Sequence, residues 1–326
     1  MKLIKIGRPL PAVDVDTLPG KGRPDWVQCD EDFIGRALGR ARAREGGGWV
    51  VVDASRHVTS KPRRIDLAGQ EWVLWKDEAG PVMAPNACPH LGAALCDSHV
   101  RDGKLVCPWH GLALGRRGHG PPWQPARLHD DGVLLWAQLL HDEAPTDAPI
   151  LAPRPPTYLD GVIRMEAACE PEDVVANRLD PWHGAHFHPH SFGALTMLGV
   201  DEDLLSLRVA FKILGPLAME VDCTFHAPTR RSIVMTITHG DGVASVVESH
   251  ASPIGPGRSV LVEATLAYSD RIGFPWMHRI RDLVRPLIEA RARRLWVEDV
   301  AYAERRYALR QRALPGPVSA REQPLA

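Results

Sequence analysis

The sequence predicts an α+β chain in which a small all-β domain precedes a second domain built from an antiparallel sheet and a long C-terminal helix. Three observations carry this. Residues 49–150 hold short apolar runs (WVVVDAS, EWVLWKD, KLVCPWHG, GVLLWAQLL) cut by Gly, Pro and Asp, the pattern of short strands in a compact β domain. Residues 200–268 then alternate apolar and polar side chains with period two, as strands with one buried face do. Finally, the chain turns helical from Phe274 to about Leu314. The Pro-rich stretch between Ala144 and Thr157 is the natural linker. It divides the chain into an N-terminal extension (1–48), the β domain (49–150) and the sheet-plus-helix domain (151–326).

Each element has its own justification. In DEDFIGRALGRARAR, Asp30 can cap a short helix reaching Arg44, with Phe33, Ile34 and Leu38 as a narrow apolar face and Gly46–Gly48 as the stop. Leu207, Val209, Phe211 and Ile213 share one strand face, as do Val221, Cys223 and Phe225. So do Ile233, Met235 and Ile237, and Val260, Val262, Ala264, Leu266 and Tyr268. Pro286 should break or kink the C-terminal helix, and Pro315–Ala326 read as a loose tail.

Composition narrows the function. The 326 residues are 44% hydrophobic and 24% charged, which excludes a disordered chain, a coiled-coil rod and a collagen repeat. Thirty-nine basic residues against 40 acidic ones leave a net charge of −1, so nucleic acid is not an expected partner. No apolar run approaches the roughly 18–20 residues of a membrane span. MKLIKIGRPLPAV lacks an export signal, so a cytoplasmic setting is expected. Six cysteines (Cys29, Cys88, Cys96, Cys107, Cys169, Cys223) are too sparse for a disulfide framework.

Two of those cysteines belong to a matched pair of loops. Cys88-Pro-His90-Leu-Gly is followed by Cys107-Pro-Trp-His110-Gly, with sixteen residues between His90 and Cys107. Each loop offers one thiolate and one imidazole. A Rieske [2Fe–2S] cluster needs two cysteines on one iron and two histidines on the other, and neutral histidines raise its potential. Structural zinc also accepts Cys₂His₂, but zinc motifs pair like ligands within a knuckle, whereas here each knuckle is mixed.

A second constellation is Asn177-Arg-Leu-Asp180-Pro-Trp-His183-Gly-Ala-His186-Phe-His188-Pro-His190, with four histidines in eight residues. Two histidines and one carboxylate on one face of Fe(II) leave positions open for O₂ and substrate. His183 and His188, five apart, are not on one face of an ideal helix. The helix should therefore loosen near Gly184 and end at Pro189. His186 and His190, at helical i,i+4 spacing, form a rival pair whose bland reading is supporting or surface histidine. Trp182 and Phe187 read as packing residues.

The two motifs in this order resemble the α subunits of Rieske non-haem iron oxygenases, and the resemblance covers roughly residues 50–310. It implies a helix-grip (START-like) catalytic domain with His183 and His188 as iron ligands. Asp180 would be the carboxylate that bridges a metal histidine to a cluster histidine of the neighbouring subunit, and Asn177 a residue near the iron. The third ligand is implied to lie on the C-terminal helix. Trp296-Val297-Glu298-Asp299-Val300 resembles the family's E-D pattern there, giving Asp299, with Glu298 its nearest competitor. Without the upstream histidines an acid on this arginine-rich helix would read as an i,i+4 salt bridge. The arginines themselves read as a solvated face, or more sharply as a dock for an acidic electron donor.

The resemblance is to the lower-potential branch. The extra loop cysteines of respiratory Rieske proteins are replaced by Ala93 and Trp109, and Cys96 has no partner in the second loop. The chain departs from the family at Leu91, where many members have Arg, in its N-terminal 48 residues and in its compact size.

The implied activity is a terminal oxygenase that hydroxylates, or O- or N-demethylates, a small apolar substrate, using O₂, a Rieske cluster and mononuclear Fe(II). No flavin site or G-x-G-x-x-G turn is visible, so a separate ferredoxin, an NAD(P)H-dependent reductase or both must deliver electrons. A homotrimer is the simplest closed assembly. The rival is a Rieske electron-transfer protein with a non-catalytic ligand-binding C-terminal domain, which has no reason to keep Asn177, Asp180, His183 and His188 in register.

Overall fold

In the computed structural model, which describes residues 3–14, 18 and 30–312, local capping and alternation signals resolve into seventeen strands and five helices. Cys29, the end of the C-terminal helix at Leu314 and the tail 315–326 lie outside the described residues. Strand β1 (Ile4–Ile6) precedes helix α1 (Glu31–Arg42). Asp30 caps α1, its Oδ1 accepting the Phe33 amide at 2.7 Å. Phe33, Ala37, Leu38 and Ala41 are buried against the sheet half of the molecule, where Phe33 meets Trp182 edge to face at 6.1 Å.

The all-β half contains three small sheets, each of three strands. One joins β2 (Trp49–Ala54), β10 (Leu134–Gln138) and β9 (Arg127–Asp130). A second joins β3 (Arg63–Leu67), β4 (Gln70–Asp77) and β5 (Gly80–Pro85). The third, of β6 (His99–Arg101), β7 (Lys104–Val106) and β8 (Ala113–Leu114), carries the second cysteine loop. Trp75, Leu95, Leu105 and Trp123, all fully buried, form the floor beneath both loops.

The second half is one antiparallel sheet in the order β11-β17-β16-β15-β14-β13-β12, with β1 lying parallel to β14 off that path. Its strands are β11 (Leu159–Ala167), β12 (Phe192–Asp201), β13 (Leu204–Leu214), β14 (Leu217–Thr229), β15 (Ser232–Gly240), β16 (Val246–Gly255) and β17 (Arg258–Ala267). Helices α2 (Pro171–Arg178) and α3 (His183–Phe187) fall between β11 and β12, while α4 (Phe274–Arg279) and α5 (Arg281–Gln311) close the chain. Helix α5 packs Ala292, Trp296 and Ala303 against Ile163, Val174 and Leu261.

Two expectations are corrected here. The sheet buries not one face but, along β16 and β17, both. Val260, Val262, Ala264 and Leu266 pack against Trp49–Val52 and Leu134–Ala137 of the all-β half, while Leu261 and Glu263 face the other way. Hydrogen bonds clamp this joint, with the Ala68 amide donating to Pro253 O at 2.7 Å and the Ser252 hydroxyl to Val51 O at 2.9 Å. The helical break falls at Ile280, between α4 and α5, rather than at Pro286, which sits inside α5. The carbonyl that Pro286 leaves without an amide belongs to Asp282, whose side chain is 79% exposed, so water is at hand to satisfy it.

Candidate metal centres

The two cysteine loops have the same local build. The Cys88 amide bonds to Ala93 O at 2.9 Å and the Gly92 amide to Cys88 O at 2.8 Å. In the second loop the Cys107 amide bonds to Leu112 O at 2.9 Å and the Gly111 amide to Cys107 O at 3.0 Å. Both turns require φ near +75° (Gly92 at 78°, Gly111 at 73°), which explains a glycine after each histidine. The effect is to bury Cys88 and Cys107, each 3% exposed, and to leave His90 and His110 at the surface with ring centroids 4.8 Å apart. Two inner thiols under two outer imidazoles is the donor set a Rieske cluster needs. Cys96 is half-buried, and burial pushes the Cys169 and Cys223 thiols up to about 12, as fits small inert core residues.

The second centre forms where α2, α3 and α5 meet. The expected loosening at Gly184 is not what separates the histidines. Helix α3 runs from His183 through Gly184 to Phe187, and His188 leaves it as the C-cap with φ −118° and ψ 53°. That departure turns the His188 imidazole toward Asp299, which His183 meets from the first turn of α3. One donor atom from each of His183, His188 and Asp299 lies within 4.8 Å of the others. Asp299 Oδ1 is 3.1 Å from His183 Nε2 and 2.8 Å from His188 Nε2, and accepts the Asn177 amide at 3.1 Å.

Both imidazoles are anchored through the other nitrogen. His188 Nδ1 is 2.5 Å from Glu298 Oε2, and His183 Nδ1 bonds to the Asp180 carbonyl. Anchoring of Nδ1 with Nε2 pointing inward is how metal-binding histidines are held. Buried atoms left without a hydrogen-bond partner, Asn177 Oδ1 and Asp299 Oδ2, gather at the same place. This convergence of two nitrogens and a carboxylate fits a mononuclear iron.

Asp299 is fully buried. Burial pushes its carboxyl up, yet the Arg178 charge and the two imidazoles hold it far below the usual carboxylate range. For His188 burial lowers the imidazole, but Asp299 and Glu298 outweigh it and raise it.

The remaining expected residues fall around this point. Asp180 is 6% exposed; its Oδ2 accepts the Tyr302 hydroxyl at 3.2 Å and its Oδ1 has no partner. His183 Nδ1 is 3.8 Å from that carboxylate, so its closer tie is to the Asp180 backbone. His186 is exposed, and His190 lies with Nδ1 3.8 Å from Glu298, outside the converging donors. Trp182 is buried as packing, while Phe187 is 43% exposed beside His188.

Sequence reading missed the carboxylate behind Asp299. Glu263 Oε2 accepts from Arg178 at 2.9 Å, Ser249 at 2.9 Å and Trp296 at 2.6 Å. Arg178 also lies 3.4 Å from Asp299 Oδ2 and stacks over Trp296 at 4.2 Å. The available signal was an acid in the apolar strand SVLVEATLA, which buried strands tolerate only when it is paired. From the metal site opens a cavity of about 560 Å³, walled by Phe192, Leu195, Phe225, Ile233 and Met235. Among the described residues no helix is long and apolar enough to cross a membrane.

Comparison with known proteins identifies the two halves of the chain. Residues 48–127 match the Rieske [2Fe-2S] domain, and residues 140–314 match a family described as Domain of unknown function (DUF5914), to which the chain belongs. The oxygenase subunit of vanillate O-demethylase from Pseudomonas sp. (strain HR199 / DSM 7063) is 25% identical over 69% of this chain and 67% of its own length. Dicamba monooxygenase bound to dicamba shares the fold at a TM-score of 0.61, with 16% identity over 84% of this chain and 92% of that one. A carbazole-bound oxygenase in the ferredoxin complex of carbazole 1,9a-dioxygenase does so at 0.55, with 10% identity over 89% and 90%. The chain thus joins a Rieske [2Fe–2S] domain to a DUF5914 domain and is homologous to the terminal oxygenase subunits of Rieske oxygenases.

Proposed function

We propose that Cys88, His90, Cys107 and His110 hold the cluster, that His183, His188 and Asp299 hold the iron, and that the substrate is a small apolar molecule bound in the cavity beside them. The observation that carries this reading is the convergence of His183, His188 and the buried Asp299, with both histidines on the wall of an apolar cavity. Iron held there supplies O₂ activation, and the chain supplies the rest. Glu298 and the Asp180 carbonyl orient the imidazoles. Arg178 and Asn177 fix the Asp299 carboxylate. The aromatic and aliphatic wall binds an apolar substrate and excludes water from it.

Electrons would enter through the exposed His90 and His110 rings from a separate ferredoxin, as the carbazole oxygenase–ferredoxin complex suggests, or from a reductase. Asp180, with one unpartnered oxygen, is our choice for the bridge between cluster and iron of adjacent chains in a homotrimer. The division at residues 48 and 150 belongs to the same proposal.

The test supplies the chain with a ferredoxin, its reductase, NADPH and O₂, and follows oxygenated product from apolar candidates by mass spectrometry. A product that His188→Ala abolishes, while the cluster still reduces, supports the reading. Full electron transfer with no product from any apolar candidate would leave only an electron carrier.

A further inference from the structure

The cavity runs from the metal site to the surface, where Ile213 (49% exposed), Arg271 and Arg291 line its outer end. Apolar side chains crowd this rim. On one flank, α4 and the start of α5 leave Ile272 96%, Trp276 68%, Leu283 74% and Leu287 71% exposed. Leu283 and Leu287 are four apart on α5, so they share one helical face, with the exposed Ile280 at the break just before it. On the other flank, Leu214 at the end of β13 is 80% exposed. Arg291 donates to Lys212 O and ties the two flanks together. A cluster of large apolar groups on this scale marks an interaction surface rather than ordinary scatter.

The charge on the rim says what kind of partner. Arg279, Arg281 and Arg291 are exposed here, whereas Arg271 is paired with Asp241 and Arg285 with Asp160 and Asp282, so the uncompensated basic charge lies on Arg279 and Arg281, where α4 passes into α5. Arg279 lies over the Trp276 ring at 4.5 Å, joining a cation to an amphipathic ring at the surface. Apolar side chains interleaved with arginines, and a tryptophan among them, suit the interface of an anionic bilayer. A second protein seated here would cap the cavity. A bilayer would instead open it to the phase in which an apolar substrate concentrates.

We infer that α4 and the first turns of α5 dock the protein on an anionic lipid surface, so that a lipophilic substrate enters the cavity directly from the bilayer. The inference rests on the reading of the cavity as a site for an apolar substrate. Its test uses no turnover, so its failure leaves the oxygenase reading standing.

The metal-loaded full chain is sedimented with vesicles of phosphatidylcholine, with and without phosphatidylglycerol. Wild type should bind the anionic vesicles preferentially, with binding that salt weakens. Leu283→Glu combined with Leu287→Glu should lower it roughly tenfold or more with metal content unchanged. Ile272→Ser is a milder second variant should the pair impair folding. Equal binding by wild type and variants, or no preference for anionic vesicles, would overturn the inference. So would loss of an oligomer in the variants with vesicle binding intact, because a second copy would then cover this face.

Discussion

Arg178 is the residue on which the buried charges of the proposed iron site depend. It reaches Glu263 at 2.9 Å and Asp299 at 3.4 Å, stacks on Trp296, and has a side chain only 15% exposed. Arg178→Met keeps the volume and removes the charge, leaving two buried carboxylates facing each other across the gap. Coulomb attraction at 3.4 Å is about 5 kcal/mol at an effective dielectric of 20. Breaking buried pairs costs about 3–5 kcal/mol. A divalent metal at His183, His188 and Asp299 would compensate part of that loss, so the metal-free form should suffer more than the loaded one. In thermal denaturation the metal-free variant should melt roughly 10 °C below wild type, with a markedly smaller gap after iron is restored. Arg178→Lys should recover part of the loss, since it restores the charge without the planar fork. Equal destabilisation of both forms would refute the idea that Arg178 balances Asp299, and no destabilisation would refute the whole charge argument.

A separate buried carboxylate, Glu143, accepts the Gly46 and Gly48 amides at 2.7 and 3.0 Å and pairs with Arg231. Burial alone would raise its carboxyl, but Arg231 and the two amides bring it down to about 2. With a folded value below the unfolded one, its stabilisation of roughly 3 kcal/mol is present above about pH 4.5 and is lost as pH falls toward 2. Acid unfolding of Glu143→Gln should therefore show a flatter limb in that window. Glu298→Ala should keep the mononuclear iron but bind it about 10–100-fold more weakly, because it removes the anchor of His188 Nδ1 and not a ligand; complete loss of iron would make Glu298 the ligand. Asp180→Asn should retain both metals and leave a pre-reduced cluster reduced when substrate and O₂ are added. Reoxidation at the wild-type rate would remove Asp180 from the electron path.

Much of the site was legible because its ligands sit close together in sequence. The thiol and imidazole of each cluster loop are two or three residues apart, and the mixed pairing within each loop pointed away from zinc. His183 and His188 could be preferred over His186 and His190 only through resemblance, and their convergence depends on His188 leaving α3 as its cap, which a break at Gly184 did not anticipate. Asp299 could be chosen over Glu298 only through resemblance; in the structure burial separates them, with Asp299 at 0% exposure and the Glu298 side chain at 34%. Glu263 stayed hidden because its partners come from three other elements. Ser249 faces it across the β16–β17 register, Arg178 ends α2 and Trp296 lies on α5. The apolar face of β17 was read correctly as buried. What covers it is the all-β half, a long-range packing that period-two alternation does not encode.

Metal and sulfide analysis of the purified chain tests the central claim most directly. The account predicts a Rieske spectrum, with iron in excess of the sulfide-matched cluster iron. A chelator should strip that excess while the cluster spectrum persists, His183→Ala or Asp299→Ala should lack only the excess, and Cys107→Ser should lack only the cluster. Zinc without visible absorbance, or a cluster with no separate labile iron that His183→Ala removes, would contradict it.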